Sequence, residues 1–106
     1  MPTEYMKLVR DRIPEIIQSE GRTCQVEVMP LEDYRQALLA KVVEEASEVA
    51  SAPREKLATE IADLWEVLDA LMTAFELDPE GVRTLQAQRR EERGGFEKRL
   101  KLLRTE

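Results

Sequence analysis

The chain predicts a mainly α-helical fold: an antiparallel helical hairpin that forms a four-helix-bundle core on oligomerisation, with a minor two-stranded β element. Three observations carry this. Apolar residues recur at helical spacing over two long segments, Leu31 to Ala50 and Arg54 to Phe75. A single short break, Ser51-Ala52-Pro53, separates them, so the two helices must be antiparallel neighbours. The second segment is apolar over an arc of roughly 160°, wider than one helix contact covers. With 106 residues the chain reads as one domain, residues 1–106, small enough that association helps it bury a core.

The elements follow in order. Lys7 to Arg12 is a mixed-charge lead into a short helix in which Pro14 suits the first turn, Ile13, Ile16 and Ile17 turn inward and Gly21 is the stop. Cys24, Val26 and Val28 alternate with Gln25 and Glu27 up to Pro30, which is the pattern of a short half-buried strand. In the second helix Leu31, Tyr34, Leu38, Val42 and Val49 share a face. Taking Leu38 as zero at about 100° per residue, Val42, Val49 and Glu45 fall at roughly +40°, +20° and −20°. Glu45 therefore lies inside the apolar stripe, while Glu48 is on its flank and Glu44 further round. Pro53 is tolerated in the first turn of the third helix, where no internal acceptor awaits its missing N–H. There Leu57, Ile61, Leu64, Trp65, Val67, Leu68, Leu71, Met72 and Phe75 make the broad arc. Leu57, Ile61, Leu64, Leu68 and Phe75 are expected to pack on the second helix, which leaves Trp65 and Met72 to find another surface. Asp78-Pro79 opens a fourth helix that runs to about Arg93 and stops at Gly94-Gly95. Phe96 to Leu103 alternates loosely and reads as a strand able to pair with Cys24 to Met29.

Composition excludes whole classes of chemistry. There is no histidine and one cysteine, Cys24, so His-based acid/base work, His-containing zinc sites, Ser-His or Cys-His nucleophiles and an intrachain disulfide are all ruled out. A net charge of −6 is the wrong sign for tracking a nucleic-acid polymer. No apolar run is long enough to span a membrane, and the expected setting is the reducing cytoplasm. Catalysis, if present, rests on carboxylates, Lys, Arg, Tyr or metal-bound water.

The acidic residues are patterned. Glu45 and Glu48 lie on one side of Arg54, and Asp63 and Glu60 lie at equal sequence distances on the other, so a hairpin centred there sets Glu45 against Asp63 and Glu48 against Glu60. A lone ExxE on a charged helix is ordinarily a solvated face. Four carboxylates in mirrored register are different, because like charges about 4 Å apart repel by roughly 4 kcal/mol per pair near a protein surface. Protonation or bound cation must relieve this, and an all-oxygen set favours Mg²⁺, with Mn²⁺ as its substitute. A phosphorylated ligand on such a centre would also need basic side chains, for which Lys7, Arg10, Arg12, Arg93 and Lys98 are the candidates, with Phe96 as a base-stacking or core residue.

The run Glu44-Glu45-Ala46-Ser47-Glu48 followed by Glu60-Ile61-Ala62-Asp63 resembles the EExxE…ExxD signature of the MazG-like all-α NTP pyrophosphohydrolases. The N-terminal KLVRDRIPEII and C-terminal ERGGFEKRL are similar to its small single-domain, phosphoribosyl-ATP pyrophosphohydrolase-like group. The gap between Glu48 and Glu60 is slightly shorter than that family's usual one. The resemblance implies that Glu45, Glu48, Glu60 and Asp63 ligate Mg²⁺ and that Glu44 holds or deprotonates the attacking water. It further implies a homodimer or homotetramer that cleaves a nucleoside triphosphate between the α and β phosphates to give a monophosphate and pyrophosphate, in the manner of nucleotide-pool house-cleaning. The rival expectation is a noncatalytic dimeric helical module whose acidic seam binds cation or a basic partner.

Overall fold

The structure is a computed structural model and describes residues 6–106. These fall into two compact units, one ending at Glu76 and one spanning Leu77–Glu106. The described residues are mainly helical. The first unit holds α1 (Ile13–Ser19), α2 (Leu31–Ser51) and α3 (Leu57–Ala74), with a short 3-10 turn, Arg54–Lys56, before α3; the second holds α4 (Pro79–Arg93).

Local chemistry explains the boundaries. Pro14 occupies the first turn of α1, and after the helix Gly21 takes φ +76°, a left-handed conformation that lets its N–H reach the Gln18 carbonyl at 3.0 Å. Pro53, expected in the short connection before the third helix, lies there in an extended conformation, and its carbonyl accepts from the Lys56 N–H at 2.9 Å. The connection between the long helices is therefore a rigid extended-then-helical corner. Asp78 caps α4 as its side chain accepts from the Glu80 N–H at 3.2 Å, and Gly94 at φ +82° ends it. Past that end, in the second unit, Arg90 reaches across Gly95 to Glu97 and holds the Glu97 carboxyl below the usual range.

Helices α2 and α3 pack against each other along their length. Their buried and half-buried positions are Tyr34, Arg35, Ala37, Leu38, Lys41, Val42, Glu45 and Val49 on α2, and Glu60, Asp63, Leu64, Val67, Ala70, Leu71, Met72 and Ala74 on α3. Most of these repeat at three and four residues, the spacing of one helix face. Among the described residues Leu38 and Ala74 are the buried core, at 3% and 8% exposure.

One tie fixes the register at the open end. Arg35 Nε donates to the Ala74 carbonyl at 2.8 Å, its guanidinium lies 5.1 Å from the Phe75 ring centroid, and it also pairs with Glu32 at 2.8 Å. A cation here meets the negative end of α3 and satisfies a carbonyl that the helix leaves without an internal partner. Arg35 and Ala74 stand almost symmetrically about Arg54, in the same register that pairs Glu45 with Asp63.

Two expectations are corrected. No strand forms among the described residues: Arg22 to Pro30 and Phe96 to Glu106 carry no β-structure. A two-stranded ribbon is marginal in water unless one face is covered, and here Val26 and Val28 are exposed, Val28 almost completely at 97%. The apolar arc of α3 also divides differently. Leu57, Ile61 and Leu68 are 37%, 42% and 39% exposed and Trp65 52%, so together they leave an apolar row partly uncovered, and Phe75 is 37% exposed beside Arg35, while Met72 is half-buried. Glu60 and Asp63 take half-buried positions on the same helix.

Replacing Arg35 by alanine removes the tie on α3 and the cation over Phe75. Charged hydrogen bonds of this kind contribute about 1.5–3 kcal/mol. Partial exposure places the expected loss near the lower bound, read as a lowered urea midpoint with an unchanged slope.

Candidate metal centre

The register built above brings three carboxylates together. Glu45 of α2 and Glu60 and Asp63 of α3 each offer an oxygen, and these oxygens all lie within 4.8 Å of one another. All three side chains are half-buried. Two ligands on one Mg²⁺ stand at most about 4.2 Å apart, given metal–oxygen distances of about 2.1 Å. A separation of up to 4.8 Å is thus closed by small side-chain rotations. An all-carboxylate set without nitrogen or sulfur suits a hard divalent ion that retains several waters.

Electrostatics support this reading. Glu45 has its carboxyl pushed above the ordinary 4.5, first by burial and then by the neighbouring Asp63, Glu44 and Glu60, against the opposing pull of Lys41. Burial and the neighbouring acids thus outweigh the pull of Lys41 on Glu45. Asp63 accepts from Arg10 Nη2 at 3.0 Å. Lys41 Nζ lies 3.4 Å and Lys7 Nζ 3.9 Å from the Glu44 carboxylate.

The expected residues sort as follows. Glu45, Glu60 and Asp63 converge; Glu48 is exposed on α2, outside that group of three. Glu44 is exposed and held between two lysines. Lys7 and Arg10 do reach the acidic residues, whereas Arg12 pairs locally with Glu15 at 2.8 Å. Arg93, Phe96 and Lys98 belong to the second unit, where Phe96 is exposed. The residue that sequence reasoning missed is Lys41, half-buried in the α2 stripe. Its signal was present: it sits three and four residues before Glu44 and Glu45, where a helix makes side chains neighbours.

A cleft of about 200 Å³ is lined by Lys7, Leu8, Met29, Ala37, Lys41 and Glu44. A larger hollow of about 480 Å³ lies at the open end of the hairpin around Tyr34, Arg35 and Ala70. The smaller one carries the two ammonium groups that flank Glu44, while Glu45, Glu60 and Asp63 are not among its lining residues. Pockets for drug-sized ligands span about 300–1,000 Å³, so this cleft holds only part of a nucleotide-sized molecule.

No family model matches the chain, and no solved structure matches it. A protein of Mycolicibacterium smegmatis, named only as uncharacterized, is 43% identical over 54 residues, covering 51% of this chain and 55% of that protein. The chain thus matches about half the length of that relative. Among the described residues, no helix is long and apolar enough to cross a membrane.

The raised Glu45 carboxyl has a definite consequence for stability. Its proton is held more tightly folded than unfolded, so between 4.5 and the raised value the native state binds more protons than the unfolded chain. The adverse contribution is therefore absent below about 4.5 and develops as pH rises through the raised value. In chelator-treated protein, Glu45→Gln is expected to raise the urea midpoint at neutral pH, and the advantage over the parent is expected to vanish as pH falls toward 4.5. Parallel pH profiles for the two proteins would contradict this.

Proposed function

We propose that the chain is a Mg²⁺-dependent nucleoside triphosphate pyrophosphohydrolase of the MazG-like kind, cleaving the α–β phosphoanhydride to release a monophosphate and pyrophosphate. The observation that carries the reading is the convergence of Glu45, Glu60 and Asp63 from two helices, at the positions that match the ExxE and ExxD elements of that family's signature. Mg²⁺ or Mn²⁺, when bound, supplies charge neutralisation and an activated water. Glu45, Glu60 and Asp63 hold that ion, with Glu48 one turn along α2 as the fourth carboxylate. Lys7 and Lys41 line the cleft and Arg10 lies on Asp63, and these three supply the positive charge that an anionic phosphate chain needs. Glu44 orients or deprotonates the water from its place between the lysines.

The reading includes assembly, and α3 supports it. Leu57, Ile61, Trp65 and Leu68 form an exposed apolar row, with Trp65 at 52% exposure. Register about Arg54 sets exposed Val43 of α2 level with Trp65 and exposed Leu39 close to the level of Leu68. Two hairpins joined over these rows make a four-helix bundle, and a twofold pair is the simplest closed arrangement. A homodimer, or a tetramer built from two, is the assembly that covers this row.

The rival reading, a noncatalytic helical module with a cation-binding seam, shares the metal centre but predicts no turnover. A panel of canonical and damaged nucleoside triphosphates with Mg²⁺, read by pyrophosphate release, separates them; no release with any member overturns the enzymatic reading.

Asp63→Asn keeps shape but removes one ligand charge. It is expected to lower turnover by about 10²-fold or more while leaving helical content intact. In the parent, a cation that binds only the folded cluster stabilises by about 2.7 kcal/mol at a hundredfold excess over Kd, so the melting temperature rises with Mg²⁺ and the rise is largely lost in Asp63→Asn. Trp65→Glu places like charges face to face at the proposed interface and is expected to convert the assembly to monomers. Light scattering decides it, and a parent protein monomeric at micromolar concentration would refute the assembly.

A further inference from the structure

An ion pair of the first unit opposes the metal reading. Arg10 Nη2 sits 3.0 Å from Oδ1 of Asp63, one of the three converging carboxylates. A carboxylate oxygen engaged by a guanidinium at hydrogen-bond distance has much of its electron density committed, and a divalent ion bound beside it would be repelled by the adjacent positive charge. The two cations compete for the same group.

The surroundings make Arg10 able to yield. Its backbone is tied down, since its carbonyl accepts from the Ile13 N–H at 3.1 Å and the preceding Leu8 and Val9 are half-buried. Its side chain is not, being 60% exposed with Asp63 as the partner. The guanidinium can therefore leave Asp63 by rotating about its own bonds, with no unfolding of the segment that carries it. Lys41 is the contrast. Its side chain is 18% exposed within the α2 stripe and faces Glu44, which is outside the converging three. Lys7 likewise faces Glu44. Of the three cations around the cluster, Arg10 alone is paired with a converging carboxylate.

We propose that Arg10 is an exchangeable counter-cation, which holds Asp63 while the metal is absent and swings off it when a divalent ion binds. The inference rests on the metal-centre reading and adds a coupling to it. Metal occupancy and release of the Arg10 guanidinium become one event, so a free guanidinium is presented beside the carboxylates only when the ion is in place. Arg10 is in this sense a positioning residue that makes the anion-binding charge conditional on the cation.

The test uses the full chain and Mn²⁺ alone, measured by electron paramagnetic resonance of the free ion. Removing a competitor worth as much as an exposed ion pair is expected to tighten Mn²⁺ binding about two- to fivefold in Arg10→Gln. Asp63→Asn is the control and loses binding. The second readout follows the Arg10 Nε–H resonance by NMR during Mg²⁺ titration. It is expected to move from a paired to a solvated position with the same midpoint as metal binding. If the parent binds no Mn²⁺, the metal centre and the exchange fall together. If the parent binds but Arg10→Gln binds equally or more weakly, or if the Arg10 resonance stays at its paired position under saturating Mg²⁺, the exchange alone is overturned and the metal centre stands. Circular dichroism confirms that each variant retains the helical content on which these comparisons depend.

Discussion

Everything in the first unit depends on the register between α2 and α3. An antiparallel pair of helices can slide by a turn with little change in its apolar contacts, because leucines and valines are interchangeable at that resolution. What prevents sliding is directional chemistry. The Arg35 guanidinium must meet the free carbonyl of Ala74 at the end of α3, and it is simultaneously seated against Phe75. A shift of one turn would move Ala74 about 5 Å along the axis and break both contacts. The same shift would separate Glu45 from Asp63. The tie at the open end and the carboxylates near the middle are consequences of a single alignment.

That alignment carries a charge cost. Glu45 occupies a half-buried position that a leucine or valine would fill more favourably, and it is pushed toward its neutral form by burial and by the other acids. Asp63 and Glu60 likewise displace apolar residues from the α2-facing stripe of α3. The hairpin core is thin, with Leu38 and Ala74 alone buried among the described residues. Leu57, Ile61, Trp65 and Leu68 leave an apolar row of α3 partly uncovered, where a single partner helix does not reach.

Much of this was legible in the sequence, and the limits have physical causes. The four helices, their proline and glycine boundaries and the pairing of Glu45 with Asp63 follow from local chemistry and from a symmetric break at residue 54. The cover over Leu57, Ile61 and Leu68 was overestimated because an apolar stripe states which side chains share a face but not how much of it one partner helix covers. The absent strands arose from alternation in Cys24 to Met29, a pattern that states which side chains would share a face but not whether anything covers it. Glu48 shows the same limit from the other side: sequence symmetry places it level with Glu60, yet its position on the flank of α2 leaves it exposed and outside the converging three. Lys41 was overlooked because a lysine four residues before a glutamate is usually read as a surface pair, whereas here both lie in the buried stripe.

Three cations surround the acidic cluster, and their different tethers determine what each can do. A lysine held in a helix stripe lowers the local repulsion permanently, which lets the hairpin form before any metal arrives. Lys41 fills that role, and its pull on Glu45 is nevertheless outweighed by burial. A cation on a connecting segment can serve only if its backbone is fixed and its side chain is not, which describes Arg10, anchored between half-buried Leu8 and Val9 and the first turn of α1. The guanidinium is also the better group for this, since it is weakly hydrated and forks onto carboxylate or phosphate with the same geometry. An ammonium in its place would be held by water in both states and would gain less from either partner. The choice of arginine at this position and lysine within the helix is therefore the division of labour expected where one positive charge must stay and another must change partners.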